Sequence, residues 1–405
     1  MTRKLYWENP YLHETESSIT KKERKNGKTY ITLDKTIFYP DMSGGQPGDI
    51  GSINDEMVIE TVEENGNLIH ALKSDISGSK VRLSIDSAHR FDMMQQHSGQ
   101  HLLSGVLYTL LGGETISFHL GKEYSSVDVT LSDMSDEEAS NAEALCNKII
   151  QSNFQLKSYF VDQEKIKLLP VRKAPSVAHN IRMVEIDGFD YSACGGTHVN
   201  HTGELGLLKI TKWEHYKGNL RIQFLAGQRA FLDYNSKFKS VRSIAGMLSS
   251  SDDGIEIKVE KLISEKSDLE KESRSRKDEL ITMKSSSLVS ESEKFGDNRI
   301  IKRLYEQYDF KELSQLGSHI SNNYQRVIQI YGISNEGLGQ FIISKSKDIN
   351  MDLGEIYKQL SSEFRLKGGG NPNTVQGSVT TGNLNSVLDR SMELIVQMLE
   401  TEIKE

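Results

Sequence analysis

The spacing of apolar and polar residues predicts strands in the first part of the chain. Apolar residues alternate with polar ones, and Asn-Gly or Ser-Gly pairs separate the alternating runs, which lie at 30–33, 57–59 and 81–85. Alternation places one face of each strand in a core, and these pairs favour tight turns. We therefore predict a small β-barrel over residues 1–85.

Residues 86–230 combine helical and strand-like periods, which predicts an α+β domain. Asp86 is placed to cap a helix whose apolar residues recur every three or four positions, and a second helix is predicted from Asp136. Strands are predicted in this part at 181–186, 207–213 and 220–225.

Two further parts are predicted beyond residue 230. Residues 231–295 are predicted to form a helical or coiled-coil linker. From 255 to about 287 this part is rich in Lys, Glu, Ser and Leu, and Lys266, Ser273 and Arg276 interrupt its heptad pattern. The apolar seam positions of that pattern are Ile255, Val259, Leu262, Leu269, Leu280 and Met283. This pattern fits a dimerising coiled coil as well as an intramolecular hairpin or spacer. Residues 296–405 are predicted to form an α/β unit, with strands at 326–331 and 340–344, a glycine-rich loop at 366–372 and a closing helix at 384–403.

Composition narrows the classes of function. The 405 residues carry a net charge of −8, which disfavours strong non-specific binding of nucleic acid, although local basic patches can still bind it. With no run of eighteen apolar residues and no signal-like start, neither membrane insertion nor export is expected. Only two cysteines occur, so we expect a reducing, cytoplasmic location. The candidate basic patches are 21–25, 172–173, Lys209 and Lys212.

Two short motifs contain the candidate metal ligands. His97 and His101 lie one helical turn apart, so both face the same side of the predicted helix. Cys194 and His198 share that spacing in a segment with two glycines, which lets a loop direct both side chains to one point. Three imidazoles and a thiolate form a tetrahedral zinc set, and we predict one zinc ion per chain.

Either pair, taken alone, is more often explained by packing or coincidence than by metal binding. Four of the other histidines compete as ligands and are interpreted as surface groups or as neighbours of the ligands. Ser98 stands where the HExxH motif has its glutamate base, which disfavours a thermolysin-like protease. The four histidines are His119, His179, His201 and His215.

Three segments resemble the editing domain of alanyl-tRNA synthetase and its free-standing relatives, the long AlaX-type alanyl-tRNA editing proteins. The segments are FYPDMSGGQPGDIGSI, IDSAHRFDMMQQHSGQHLLS and IDGFDYSACGGTHVNHTGELG. The resemblance covers nearly the whole chain and implies an N-terminal barrel, a zinc-bearing editing domain and a C-terminal domain called DHHA1. No adenylation domain of a synthetase is visible.

The resemblance implies a trans-acting hydrolase that removes serine, or glycine, from mischarged tRNA(Ala). It makes His97, His101, Cys194 and His198 the zinc ligands and places Gln100 with the two helical histidines in catalysis. It also implies a substrate pocket at the glycine-rich motif and tRNA contacts at a triple glycine. The pocket residues are Ser43, Gly44, Gly45, Gln46 and Asp49, and the triple glycine is Gly368, Gly369 and Gly370.

Several points stay open at this stage. The segment Asp41-Met42-Ser43 is one residue longer than the common family spacing, so either Asp41 or Ser43 could line the pocket. A tRNA-binding or assembly protein with a structural zinc, and a threonyl-tRNA-type editing domain, are the alternative functions. A homodimer could form through the coiled coil or the C-terminal domain. The resemblance also implies nucleotide binding and ATP binding.

Overall fold

The computed structural model describes residues 1–41, 43–174, 180–335 and 337–404, with side chains described to residue 401. Two compact units, Met1–Met247 and Leu248–Glu405, divide the chain. Both contain helices and sheets, so the predicted α+β class is confirmed. The finer division at residues 85, 230 and 295 stays a prediction. Within the described ranges, no helix has the length and apolarity to cross a bilayer.

A closed barrel of six strands forms the start of the first unit, in the order β2-β3-β7-β6-β5-β8. Asn26 and Gly27 both have positive φ, 53° and 77°, as a tight hairpin turn between β2 and β3 requires. The elements of this part are β1 (Arg3–Lys4), α1 (Leu5–Glu8), β2 (Glu14–Lys25), β3 (Lys28–Leu33), β4 (Lys35–Thr36), β5 (Gly51–Ile53), β6 (Glu56–Glu64), β7 (Asn67–Leu72) and β8 (Lys80–Ile85).

The rest of the first unit is built around a long buried helix, α2. Asp86 caps its start by accepting hydrogen bonds from the amides of Ala88 and His89, as predicted, and Gly112 ends it with a φ of 69°. The elements are α2 (Ser87–Leu111), β9 (Thr115–Leu120), β10 (Ser125–Val129), α3 (Asp136–Gln151), β11 (Leu156–Val161), α4 (Gln163–Ile166), β12 (Ile181–Ile186), β13 (Asp190–Ala193), β14 (Leu208–Tyr216), β15 (Asn219–Ala226) and α5 (Gln228–Met247).

Two antiparallel sheets place α2 against the segment that carries Cys194. One sheet has the order β14-β15-β10-β9 and the other β11-β12-β13. A Cβ atom at Gly99 of α2 would lie 2.9 Å from the Ala226 side chain, so this glycine allows close contact with β15. The segment with Cys194 and His198 follows β13, so the sheet carries both ligands toward the helix.

The second unit is one mixed sheet with helices on both faces. Its order is β16-β17-β18-β19-β21-β20; α7 packs on one face, and α8 and α9 pack on the other. The elements are α6 (Ile255–Ser290), β16 (Glu293–Phe295), β17 (Asn298–Glu306), α7 (Phe310–Asn323), β18 (Val327–Asn335), β19 (Leu338–Lys345), α8 (Leu353–Glu363), β20 (Lys367–Asn371), β21 (Thr374–Thr380) and α9 (Thr381–Lys404).

The prediction of a glycine-rich loop at 366–372 is wrong. Gly368, Gly369 and Gly370 lie in β20, an edge strand paired antiparallel with β21. A Cβ atom at Gly370 would approach the backbone of β21 to 2.2 Å, so glycine permits this close pairing. The triple glycine is therefore an extended strand, and its contact with tRNA stays a prediction.

The heptad region forms one continuous helix, α6, of 36 residues. Leu262, Leu269, Leu280 and Met283, four of its predicted seam positions, are 50%, 64%, 55% and 70% exposed. This chain alone therefore leaves that seam largely uncovered, and dimerisation through it stays a prediction.

Candidate metal centre

The structure brings the four predicted ligands together. The ligand atoms of His97, His101, Cys194 and His198 lie within 4.8 Å of one another. Cys194 Sγ lies 3.3 Å from Nε2 of His97 and 3.3 Å from Nε2 of His198. A tetrahedral zinc ion with ordinary bond lengths keeps its ligands about 3.3–3.6 Å apart. The two sulfur–nitrogen pairs thus already have the spacing that the ion requires, and all four atoms lie close enough to converge on it.

The donor set fits a divalent cation in three ways. His101 is buried, and neither ring nitrogen has a hydrogen-bond partner among the described residues. A Cβ atom at Gly196 would lie 2.2 Å from the His97 ring, so glycine is needed for the loop to approach the imidazole. Two nitrogen donors already face one sulfur, as zinc prefers. The residues present could therefore hold a divalent metal ion.

Charge stabilises the thiolate that a metal needs. Burial would raise the pKa of Cys194, but His97, His198 and His101 together lower it well below its ordinary value. Burial also lowers the pKa of His198 to about 3, which keeps that imidazole neutral and able to donate its lone pair. The site therefore favours a deprotonated sulfur beside a neutral nitrogen.

Each imidazole faces a polar group from a different part of the fold. Gln46 Oε1 lies 2.9 Å from His97 Nδ1, and Ser98 Oγ lies 3.3 Å from His198 Nδ1. Asp190 Oδ2 lies 3.8 Å from His101 Nδ1, with a side chain only 1% exposed. Such outer groups orient metal-binding histidines.

The Asp190 carboxylate is held in its charged form. Burial would raise its pKa, but the nearby His101 imidazole and the paired Arg172 guanidinium lower it to about 2. Arg172 pairs with both oxygens of Asp190. A negative charge therefore stays beside His101, where it supports the imidazole as a ligand.

The loop that carries Cys194 is fixed through its backbone carbonyls. Arg182 on β12 donates to the carbonyls of Cys194 and Gly196, at 2.9 Å each. The indole of Trp7, from the N-terminal part, donates to the carbonyl of Gly195 at 2.8 Å. Three successive carbonyls are thus held by two side chains, one from the neighbouring strand and one from the N-terminal part, which limits the freedom of the thiolate.

The glycine-rich motif lies against the metal ligands. Gln46 is fully buried and contacts His97 and Thr197. Gly44 and Gly45 have positive φ, 59° and 79°, and a Cβ atom at Gly45 would lie 2.9 Å from the Phe118 ring. The ring of Phe118 is 5.3 Å from that of His97, so this aromatic residue lies beside the centre.

The other residues of the motif hold the loop in place. Asp49 forms an ion pair with Arg90 of α2, and the two side chains are 2% and 3% exposed. The carbonyl of Ser43 accepts a hydrogen bond from the Tyr39 hydroxyl. Asp41 accepts from the amides of Gly48 and Thr61, so its carboxylate closes the turn. No polar partner is recorded for the Ser43 hydroxyl within the described ranges, and its place in a substrate pocket stays a prediction.

Gln100 has an unpaired acceptor at a buried position. Its Nε2 donates to Ser104 Oγ at 2.9 Å, which fixes the amide plane, while Oε1 has no partner among the described atoms. The residue precedes the ligand His101 on α2. A buried oxygen without a donor can bind a hydroxyl or ammonium group of a ligand.

The residues predicted to contact tRNA are mostly paired with carboxylates. Lys22 pairs with Asp75, Lys209 with Glu143, and Lys212 with Glu214. Arg172 pairs with Asp190 beside the metal centre. Because most of these charges are already paired within the chain, the position of bound tRNA stays a prediction.

His119, His201 and His215 do not belong to the four-ligand cluster, and His179 lies outside the described residues.

Sequence reasoning missed Asp190, Arg182, Trp7 and Phe118. Their contacts join residues from 12 positions apart, for Arg182, to 188 positions apart, for Trp7. No local period marks such contacts. A weak signal existed for Asp190, because a carboxylate four residues before a cysteine ligand is a plausible partner for a nearby imidazole.

Comparisons with known proteins agree with these motifs. Residues 181–223 match the family model described as the threonyl and alanyl tRNA synthetase second additional domain. Alanyl-tRNA editing protein AlaX-L from Pyrococcus horikoshii is 29% identical over 390 residues, which cover 94% of this chain and 95% of that protein.

Alanine–tRNA ligases are also similar. The ligase of Methanobrevibacter smithii is 27% identical over 96% of this chain, which spans only 45% of the ligase. The C-Ala domain from Aquifex aeolicus alanyl-tRNA synthetase matches 27% of this chain and 97% of that chain at 18% identity, but its TM-score of 0.24 supports no statement about fold. These comparisons do not support ATP or nucleotide binding. They bear out the resemblance: the chain is similar over nearly its whole length to alanyl-tRNA editing protein AlaX-L.

Proposed function

We propose that this chain is a trans-acting editing hydrolase that removes serine, and secondarily glycine, from mischarged tRNA(Ala). One observation carries the proposal: the four metal-binding side chains converge within 4.8 Å in a chain similar to AlaX-L over 94% of its length. The reaction adds water to the ester carbonyl and breaks its bond to the terminal ribose oxygen. The products are the free amino acid and uncharged tRNA.

The roles of the side chains follow from their positions. His97, His101, Cys194 and His198 would hold a zinc ion, which supplies a Lewis acid for the ester carbonyl when bound. Gln100 Oε1 is buried and unpaired, so it can accept a hydrogen bond from the hydroxyl of a seryl group. Alanine and glycine lack that hydroxyl and would leave the oxygen unpaired, which gives a physical basis for the preference for serine.

A second candidate function is tRNA binding around a structural metal. The observation that favours it is the complete set of four protein ligands, since catalytic zinc sites commonly keep one position open. In that case the protein would bind tRNA(Ala) without hydrolysing its ester. The alternative predicts zinc and tRNA binding with no turnover.

The deciding experiment measures deacylation of Ser-, Gly- and Ala-tRNA(Ala), with Thr-tRNA as contrast. We expect rapid loss of serine, slower loss of glycine, and no loss of alanine or threonine above the uncatalysed rate. Cys194→Ala should abolish turnover together with metal binding. Cys146→Ala is the matched control, because Cys146 is a buried thiol in the core and not a ligand. Zinc-loaded protein that binds tRNA but leaves every ester intact would favour the second function.

The role of Gln100 has a test of its own. Gln100→Met keeps the length of the side chain but removes the acceptor oxygen. We expect deacylation of seryl-tRNA to fall about 10-fold to 100-fold, as for loss of a buried hydrogen bond, and that of glycyl-tRNA to change much less. An equal fall for both substrates would assign Gln100 to the structure of the site and not to recognition of the hydroxyl.

A further inference from the structure

The geometry points to Gln46 as a positioning residue that selects the metal-binding tautomer of His97. Its side-chain oxygen would hold the proton on Nδ1 and so leave Nε2 free for the ion. This inference rests on the four-residue site and not on ester hydrolysis. It gives the glutamine of the glycine-rich motif a task at the metal.

The orientation of the Gln46 amide follows from an unambiguous donor. The backbone N–H of Thr197 can only donate, and it lies 3.0 Å from Gln46 Oε1. The atom that faces it must therefore be the oxygen. The nitrogen of the same amide, Nε2, donates to Thr197 Oγ1 at 2.9 Å, in agreement with that assignment.

The tautomer of His97 follows from the same oxygen. His97 Nδ1 lies 2.9 Å from Gln46 Oε1, which accepts hydrogen bonds and cannot donate them. Nδ1 must then carry the proton. A neutral imidazole has one N–H, so Nε2 presents its lone pair, and this atom lies 3.3 Å from Cys194 Sγ.

Gln46 has little freedom to choose another partner. It is fully buried, and a Cβ atom at Gly196 would lie 3.0 Å from its Oε1. Its backbone N–H donates to the carbonyl of Ser43 at 3.3 Å, which closes the turn made by Gly44 and Gly45. The residue is thus fixed by a loop that leaves the barrel and contacts both ligand-bearing segments.

Two substitutions separate a positioning role from a purely structural one. Gln46→Glu keeps side-chain length and the acceptor oxygens, while Thr197 Oγ1 can donate to the new oxygen. Gln46→Met keeps the length but removes every acceptor. A positioning role predicts zinc affinity within about 3-fold of wild type for Gln46→Glu and a loss of about 10-fold to 100-fold for Gln46→Met, the range for such outer partners. A structural role predicts similar effects for both.

The measurement uses the full chain without tRNA. Zinc affinity is obtained by competition with a chromophoric chelator, and ¹⁵N NMR of histidine-labelled protein identifies the protonated nitrogen of His97. We expect Nδ1–H in the wild type with and without zinc, and a mixture of tautomers in metal-free Gln46→Met. Thr197→Val is the control: it keeps the Thr197 backbone N–H and the Gln46 oxygen, so zinc affinity should stay within about 3-fold.

Two results would overturn the inference. One is folded Gln46→Met protein that binds zinc as tightly as wild type with an unchanged His97 tautomer. The other needs no variant: zinc bound through Nδ1 of His97, with the proton on Nε2, in the wild-type protein. Neither result depends on deacylation, so failure here and failure of the proposed function can be told apart.

Discussion

The buried ion pair between Asp49 and Arg90 predicts a large loss of stability for Asp49→Asn. The side chains are 2% and 3% exposed. Arg90 also donates to the carbonyls of Pro10 and Ile37, at 2.7 and 2.6 Å, and Asp49 accepts from the Tyr39 amide at 2.6 Å. Asparagine has nearly the same shape but removes the charge that balances the guanidinium. Breaking a buried pair in this way costs about 3–5 kcal/mol.

Tryptophan fluorescence during urea unfolding is the suitable assay. Both tryptophans, Trp7 and Trp213, lie in the first unit, so the signal reports the unit that contains the ion pair. Glu14→Gln is the matched control, because it neutralises a carboxylate paired with Arg82 at the surface, where the two side chains are 46% and 67% exposed. We expect the control to leave the midpoint unchanged, since exposed pairs contribute little.

A double variant tests the cause. Asp49→Leu with Arg90→Met removes both charges and keeps apolar volume, so it should recover the part of the stability that the unbalanced charge costs, but not the part due to the backbone hydrogen bonds of the pair. A midpoint for Asp49→Asn equal to that of Glu14→Gln would refute the reasoning, because it would mean that Arg90 finds compensation elsewhere.

Two pairs of glycine variants extend these predictions. Gly196→Ala places a Cβ atom 2.2 Å from the His97 ring and should abolish metal binding, whereas Gly195→Ala meets no atom within 4 Å and should retain it; a chelator titration of both distinguishes them. Gly370→Ala places a Cβ atom 2.2 Å from the backbone of β21 and should loosen this sheet edge, seen as faster amide hydrogen exchange in β21, whereas Gly369→Ala meets no atom within 4 Å and should not.

Local signals were enough to predict the elements that carry the ligands. The cap at Asp86 and the helical period after it predicted α2, and the separation of four residues placed His97 and His101 on one face. The two glycines after Cys194 correctly indicated a loop. These predictions succeeded because each depends on neighbours within a few positions, where backbone geometry dominates.

Non-local contacts explain what the sequence did not reveal. Gln46 and Asp49 resembled pocket residues, yet their polar atoms meet Thr197 and Arg90 from distant segments. The triple glycine has the composition of a loop, but pairing with β21 makes it a strand. Strand formation depends on tertiary partners more than on intrinsic preference, so a single glycine run cannot decide it.

The wide spacing of the metal ligands along the chain links metal binding to the order of folding. His97 and Cys194 are 97 residues apart, and Gln46 and Thr197 are 151 apart. Contacts across such long loops form late, because loop closure costs entropy before the contacts compensate it. An ion that binds only the finished site stabilises the native state by about 2.7 kcal/mol at one hundred times its dissociation constant. A metal ion bound at this site would therefore stabilise only those chains in which the segments carrying His97 and Cys194 have already come together.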